Sequence, residues 1–243
     1  VTAIVRLAAR LLALILTLLA GLVLHRLWRL LRRPSPWPRR FLALVARIVG
    51  ARVRVVGTPL ADDVVFLSNH LSWIDILAIA GATGSAFVAK GELRAVPLVG
   101  WLCTLNHTLF VSREDRLQVA AQIAELRDAI GAGGAVTLFP EGTTGDGHTL
   151  LPFKAALLAA LDPPPRGVQV QPIRVDYGQA TDALAWVGNE PGHSHALRVL
   201  RRRGTFDVTL RLLAPFDPAT TGNRKAIAAR ARDAIEAAGP ALT

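Results

Sequence analysis

The chain has 243 residues, 51% hydrophobic and 19% charged, which suits one large α/β domain with a segment to spare. Its formal net charge is +10, from 28 Lys and Arg against 18 Asp and Glu, yet no nucleic-acid motif accompanies the excess, so no nucleic-acid partner is expected. The single cysteine, Cys103, excludes an internal disulfide and a cysteine-based metal cluster and reads as a small buried hydrophobe.

Leu11 to Leu24 (LLALILTLLAGLVL) is uncharged, with Arg6 and Arg10 before it and His25 and Arg26 after it. At ~1.5 Å per residue this run covers about two thirds of a ~30 Å hydrocarbon core. It spans a bilayer if the flanking arginines snorkel; otherwise it lies at the interface with Leu27, Trp28, Leu30 and Leu31. Arg26, Arg29, Arg32, Arg33, Arg39 and Arg40 follow and suit anionic head groups. No A-x-A-like cleavage site precedes them, which argues against a signal peptide. If the run spans, the arginine excess after it puts the rest of the chain in the cytoplasm; the expected location is the cytoplasmic face of the cell inner membrane, with the N-terminal segment spanning or interfacial. Pro34-Ser35-Pro36-Trp37-Pro38 breaks the helix and separates an anchor and basic linker, 1–38, from the body, 39–243.

Within the body, 41–49 has a helical apolar pattern and Arg52 to Val56 alternates as a strand. Val64 to Leu67 is a buried strand, followed by a short helix ending near Gly81. Strands are predicted at Ala86 to Ala89 and Leu109 to Ser112, with a short helix at Pro97 to Leu105 between them. Glu114 to Ile130 is amphipathic through Val119, Ile123, Leu126 and Ile130, and Gly131 stops it. Ala135 to Phe139 is the next strand, and a helix with Pro152 in its first turn runs to Leu161. Val168 to Val175 is a strand that Pro172 demotes to an edge or bulged position. A basic helix at 194–203, a strand at Phe206 to Leu213 and a helix at Arg224 to Ala238 close the chain. The alternation predicts an α/β fold: a mixed, largely parallel sheet with helices on both faces, plus the N-terminal membrane-associated segment.

The stretch Phe66 to Gly81 (FLSNHLSWIDILAIAG) carries the strongest chemical signal, a histidine and an acid with four residues between them. On one continuous helix His70 and Asp75 would point about 140° apart. A helix that starts at Ser72, a good N-cap with Asp75 three residues on, leaves His70 in the preceding turn, where it can fold back toward the carboxylate. The same residues are also accounted for as an ordinary capping box beside a histidine with no function.

Polar or charged groups recur where apolar strands end: Asn69 and His70, Lys90, Arg113, and Glu141 with Gly142. Strand ends on one side of an open α/β sheet share a crevice, so a base, two cations and a glycine-containing turn are expected to converge. That set suits proton abstraction beside a bound phosphate. Each charge taken singly is more often a solvated surface group.

These blocks resemble the lysophosphatidic acid acyltransferase family, the 1-acyl-glycerol-3-phosphate acyltransferases within the glycerolipid acyltransferase superfamily. Asn69-His70-Leu71-Ser72-Trp73-Ile74-Asp75 matches its N-H-x-x-x-x-D block, and Leu109-Phe110-Val111-Ser112-Arg113 is similar to its F-[IV]-x-R block. Phe139-Pro140-Glu141-Gly142-Thr143-Thr144 is similar to F-P-E-G-T, and Val170-Gln171-Pro172-Ile173 to an apolar stretch around a proline. Lys90-Gly91-Glu92-Leu93 and Pro152-Phe153-Lys154 match lesser signposts. His107 stands where the family usually has glycine. The third block's Thr144-Gly145-Asp146-Gly147, with Ala185-Trp186-Val187-Gly188, also looks like the branch that contains lyso-ornithine lipid acyltransferases.

The resemblance implies a membrane-associated O-acyltransferase. It would move a fatty acyl chain from acyl-ACP or acyl-CoA to a lysolipid hydroxyl, first 1-acyl-glycerol-3-phosphate to give phosphatidic acid and alternatively lyso-ornithine lipid. His70 would be the base and Asp75 its orienter. Lys90 and Arg113 would grip the acceptor phosphate, with Glu141, Gly142 and Thr143 lining the acceptor site and Asn69, Ser72 and Pro172 in support. Backbone N–H groups between Ser72 and Ile74 are the expected oxyanion donors. No cofactor or metal is expected, since His148, His193 and His195 show no ligand spacing. A hydrolase is disfavoured by the lack of G-x-S-x-G or metal spacing, and a catalytically silent membrane-binding protein is the remaining alternative.

Overall fold

The computed structural model describes residues 2–97, 99–106, 108–111 and 116–239. Leucine- and alanine-rich sequence without an internal proline forms α1 (Thr2–Leu30), so the helix is far longer than its uncharged core. α2 (Trp37–Val49) starts inside the proline run, with Pro38 in the first turn, where a missing N–H costs nothing. Then follow β1 (Ala51–Val56), β2 (Val64–Ser68), α3 (Ile74–Thr83), β3 (Ala86–Lys90), α4 (Val99–Leu105), β4 (Leu109–Val111), α5 (Arg116–Gly131) and β5 (Ala135–Leu138). β6 (Gln169–Asp176), α6 (Thr181–Leu184), α7 (Gly192–Arg201), β7 (Phe206–Leu212) and α8 (Arg224–Ala237) complete the chain. The helix expected after Pro152 is a 3-10 turn over Ala155–Leu161, with i to i−3 bonds such as Leu157 N–H to Lys154 O at 3.0 Å.

The seven strands form one sheet in the order β1-β7-β6-β2-β5-β3-β4. β6 and β7 pair antiparallel, and the other neighbours pair parallel. The carboxyl ends of β2 to β6 therefore share one edge with the amino ends of β1 and β7. β2 is buried along its whole length, as a central strand covered on both faces must be. Val64 and Phe66 pack with α2, α3 and α7, while Val65 and Leu67 pack with α5, α8 and the Ala155–Leu161 turn. Each such side chain contributes about 1.5–3 kcal/mol by leaving water.

One expectation needs correcting. Pro172 does not lie on an edge strand, because β6 is central between β7 and β2. The bulge alternative holds: pairing runs Val170 with Phe216 and Ile173 with Leu212, so two residues of β6 face three across the ladder. The Pro172 carbonyl accepts from Leu213 N–H at 2.9 Å, so the nitrogen without a donor faces this irregular side.

Arg6 and Arg10 are held against the domain. Arg10 donates to the carbonyls of Val199, Leu200, Arg202 and Gly204, and Arg6 to that of Arg201. The carbonyls at the carboxyl end of α7 sit at its negative end, where two guanidinium groups supply donors beyond the Arg202 N–H that bonds Val199 O at 3.2 Å. Leu7 and Leu14 of α1 pack on the core and Gly21 lies against Phe41, so the helix runs along the domain. Its other side exposes Ile4, Leu12, Ile15, Leu16, Leu19, Val23, Leu27 and Leu30.

Candidate active site

The site is built where β2 ends. Asn69 acts as an extra rung of the sheet: its side chain donates to Val175 O at 2.9 Å and accepts from Val175 N–H at 2.7 Å. This ties the turn after β2 to the end of β6. The regular part of α3 starts at Ile74, two residues past Ser72, but the capping bonds are present. Ser72 Oγ accepts from Ile74 N–H at 3.1 Å, and Asp75 Oδ2 accepts from Ser72 N–H at 3.0 Å and Leu71 N–H at 2.6 Å. Those bonds take up the Ser72 and Ile74 N–H groups and do not involve the Trp73 N–H between them.

His70 folds back as its spacing allows, with Nδ1 2.8 Å from Asp75 Oδ2. The capping acid and the acid facing the imidazole are thus the same group. Asp75 is fully buried, and Tyr177 donates its phenolic hydrogen to the other oxygen, Oδ1. With Asp75 as acceptor, Nδ1 carries the ring hydrogen and Nε2 keeps its lone pair. The His70 side chain is 16% exposed, which leaves the ring reachable. Phe139 stacks on it with centroids 3.9 Å apart at 13°, and Phe87 backs Phe139 at 5.8 Å. A buried carboxylate, an oriented imidazole and a ring packed beneath it can take a proton from a hydroxyl at neutral pH.

The turn after β5 is fastened to this group. Gly145 N–H donates to His70 O at 2.7 Å, and Gly142, at φ 68°, closes the turn with its N–H on Phe139 O at 3.0 Å. Glu141 lies behind the turn at 2% exposure. Burial pushes its carboxyl up to about 8, partly offset by a backbone hydrogen bond from His70, with the Asp75 charge acting in the same direction as burial. Glu141 is thus largely a neutral acid at pH 7. Thr143 is exposed at the tip of the turn. Lys90 ends β3 on the same sheet edge, opposite Val111 of β4. Arg113, and His107 with it, lies outside the described residues. Pro172 is in β6 beside Leu67, one layer below the site.

Several neighbours were not singled out from the sequence. Phe139 was in view only as part of a motif. Tyr177, the single tyrosine of the chain, had a signal in its place just beyond an apolar strand. Trp73 Nε1 donates to Nδ1 of the fully buried His195 at 2.9 Å, and His195 Nε2 faces Leu184 O at 3.0 Å. Trp186 N–H bonds Leu71 O at 2.8 Å and its carbonyl accepts from Thr144 Oγ1, which stitches 185–188 to both turns. The bonds of Tyr177 to Asp75, Trp73 to His195 and Trp186 to Leu71 each join residues more than a hundred positions apart, beyond the reach of local pattern. His148 instead pairs with Asp182 at 2.6 Å on the surface. Cys103 is half-buried, with burial pushing its thiol up, which disfavours a thiolate nucleophile. Among the described residues, no three His, Cys, Asp or Glu side chains group to hold a metal ion.

The layered sheet and the strand-end histidine–aspartate pair match a known class of acyl-transferring proteins. A family model described as Acyltransferase matches residues 52–176. A lyso-ornithine lipid O-acyltransferase of Rhodobacter capsulatus is 35% identical over 95% of this chain and 88% of its own length. A 1-acyl-sn-glycerol-3-phosphate acyltransferase of Neisseria gonorrhoeae is 32% identical over 57% of this chain and 54% of its own. The solved structure of the 1-acyl-sn-glycerophosphate acyltransferase PlsC from Thermotoga maritima superposes with a TM-score of 0.67, covering 98% of this chain and 99% of that one, at 21% identity. That last likeness is one of fold. The chain belongs to the glycerolipid acyltransferase family and is an enzyme that acylates lysolipids.

Proposed function

We propose that this enzyme transfers a fatty acyl group from a thioester donor, acyl-ACP or acyl-CoA, to the free hydroxyl of a lyso-ornithine lipid. The supporting observation is the extent of similarity: the relative of that name aligns over 95% of the chain, against 57% for the relative named for 1-acyl-glycerol-3-phosphate. This favours what the sequence alone ranked second. The glycerophosphate reading keeps one argument, the cation pair Lys90 and Arg113; on the ornithine reading, the same cations meet the headgroup carboxylate.

In the proposed reaction His70 Nε2 takes the acceptor hydroxyl proton as its oxygen attacks the thioester carbonyl. Asp75 holds the Nδ1–H and stabilises the imidazolium. Collapse of the tetrahedral intermediate breaks the C–S bond, and the imidazolium returns the proton to the departing thiolate. The products are the ester and the free thiol, with no acyl-enzyme and no cofactor. Asn69 and Ser72 position the pair, Gly142 and Thr143 form the turn beside it, and Glu141 serves as a neutral support for that turn.

We also propose that 1–38 anchors the catalytic body, 39–243, at the cytoplasmic face of the inner membrane. The exposed apolar side of α1 suits the interface, and its docked face argues against a free crossing. The test uses purified enzyme with each donor and each acceptor. Turnover with lyso-ornithine lipid at least ~10-fold above that with 1-acyl-glycerol-3-phosphate supports the reading, about 1.4 kcal/mol of discrimination. The reverse preference restores the glycerophosphate reading, and hydrolysis without transfer sinks both.

A further inference from the structure

The two oxygens of Asp75 are divided between two sets of donors. Oδ2 receives His70 Nδ1–H and the N–H groups of Leu71 and Ser72. Oδ1 receives the hydroxyl of Tyr177, which follows β6 and is 1% exposed. The Tyr177 ring meets Phe206 at 6.3 Å. Burial, then the Asp75 charge, holds the phenol well above its ordinary range, so it remains a donor. A chain of hydrogen bonds thus runs from Tyr177 through Asp75 to His70.

We propose that Tyr177 is a positioning residue for acyl transfer: its bond to Oδ1 fixes the rotation of the Asp75 carboxylate and sets how much negative charge Oδ2 presents to His70. The proposal rests on the reading of His70 as the base. Without the phenol, three donors remain on one oxygen and none on the other, so the carboxylate loses its second anchor. Its charge then falls more fully on the imidazolium, which makes that cation harder to deprotonate. The groups facing His70 are Asp75 from α3, Glu141 from the turn after β5 and, through Asp75, Tyr177 from the end of β6. Glu141 is neutral until about pH 8, so Asp75 carries the charge that matters below it.

The experiment compares Tyr177→Phe with enzyme in which tyrosine is replaced by 3-fluorotyrosine. Because the chain has one tyrosine, that replacement is confined to this site. Tyr177→Phe should lower kcat roughly 10- to 100-fold, with KM for both substrates within about 2-fold. The acidic limb of its pH–rate profile should move up by about 0.5–1 unit. The more acidic fluorophenol is a stronger donor and should move that limb down by a few tenths of a unit, roughly. In an Asp75→Asn background Tyr177→Phe should add no further loss, since the effect passes through Asp75. An unchanged rate and pH profile in Tyr177→Phe, an unmoved limb in the fluorotyrosine enzyme, or additive losses with Asp75→Asn would each overturn the proposal. If Tyr177→Phe fails to fold, the fluorotyrosine profile decides. His70→Ala is run alongside: retained turnover there refutes the base itself, whereas an inactive His70→Ala with an indifferent Tyr177 refutes only this inference.

Discussion

Nδ1 of His70 lies 2.8 Å from Oδ2 of Asp75, and that same oxygen caps the amino end of α3 by accepting from Leu71 and Ser72. One carboxylate both starts the helix and orients the imidazole. His70→Ala and Asp75→Asn are therefore expected to cut kcat by roughly 10³-fold or more. Circular dichroism should show both proteins folded. The asparagine variant should also melt lower, by about 1–3 kcal/mol, because an amide is a poorer acceptor for the Leu71, Ser72 and Tyr177 donors.

Glu141 predicts a pH dependence of stability. Its carboxyl is raised in the folded protein to about 8, whereas the unfolded chain titrates near 4.5. Between those values the unfolded state releases a proton that the folded state keeps, so stability falls as pH rises through this window. The slope is on the order of 1 kcal/mol per pH unit. Below the window both states are protonated and the cost is absent. Glu141→Gln, which mimics the neutral acid, should flatten this part of the curve, as read from urea midpoints between pH 5 and 8. An equally steep curve in the variant would place the titration elsewhere.

At Gly147 the turn passes close to the site. Its φ is 82°, and a Cβ there would lie 2.5 Å from both Leu71 Cδ2 and Thr181 Cγ2. Gly147→Ala is expected to cost about 1–3 kcal/mol through backbone strain and overpacking. Because Leu71 donates to Asp75, turnover should fall as well. A variant with wild-type stability in denaturant titration would show that the turn relaxes freely.

The amino end of α1 offers a separate test. Arg10→Ala leaves the carbonyls of Val199, Leu200 and Arg202 without their guanidinium donor, and about 1 kcal/mol or more of stability should go with it. Limited proteolysis should then cut near the α1–α7 contact faster than in the parent enzyme. Flotation with anionic vesicles should be retained, since the exposed apolar side of α1 is unchanged. Loss of flotation would mean that Arg10 itself contacts the lipid.

Much of this was legible locally. The fully apolar run Val64 to Leu67 read as a buried strand, and Gly131 and the Pro34–Pro38 segment marked ends that the structure keeps within a few residues. The length of α1 was underestimated because an uncharged run measures greasiness, while a helix continues through arginines that find partners elsewhere. Pro172 was half read: proline disrupts a ladder, but β7 accommodates it by contributing one extra residue and leaves β6 in the middle of the sheet.

By itself, the sequence determined the strand–helix alternation, the histidine and aspartate that share one turn, and the family to which the chain belongs. These depend on residue order and on contacts within about one helical turn. The tertiary structure alone decided that Asp75 would be held by Tyr177, that Phe139 would lie under His70, and that Glu141 would be buried and largely neutral. Each of those requires a strand end or turn far along the chain to meet the end of β2, and only the parallel sheet brings them to one edge.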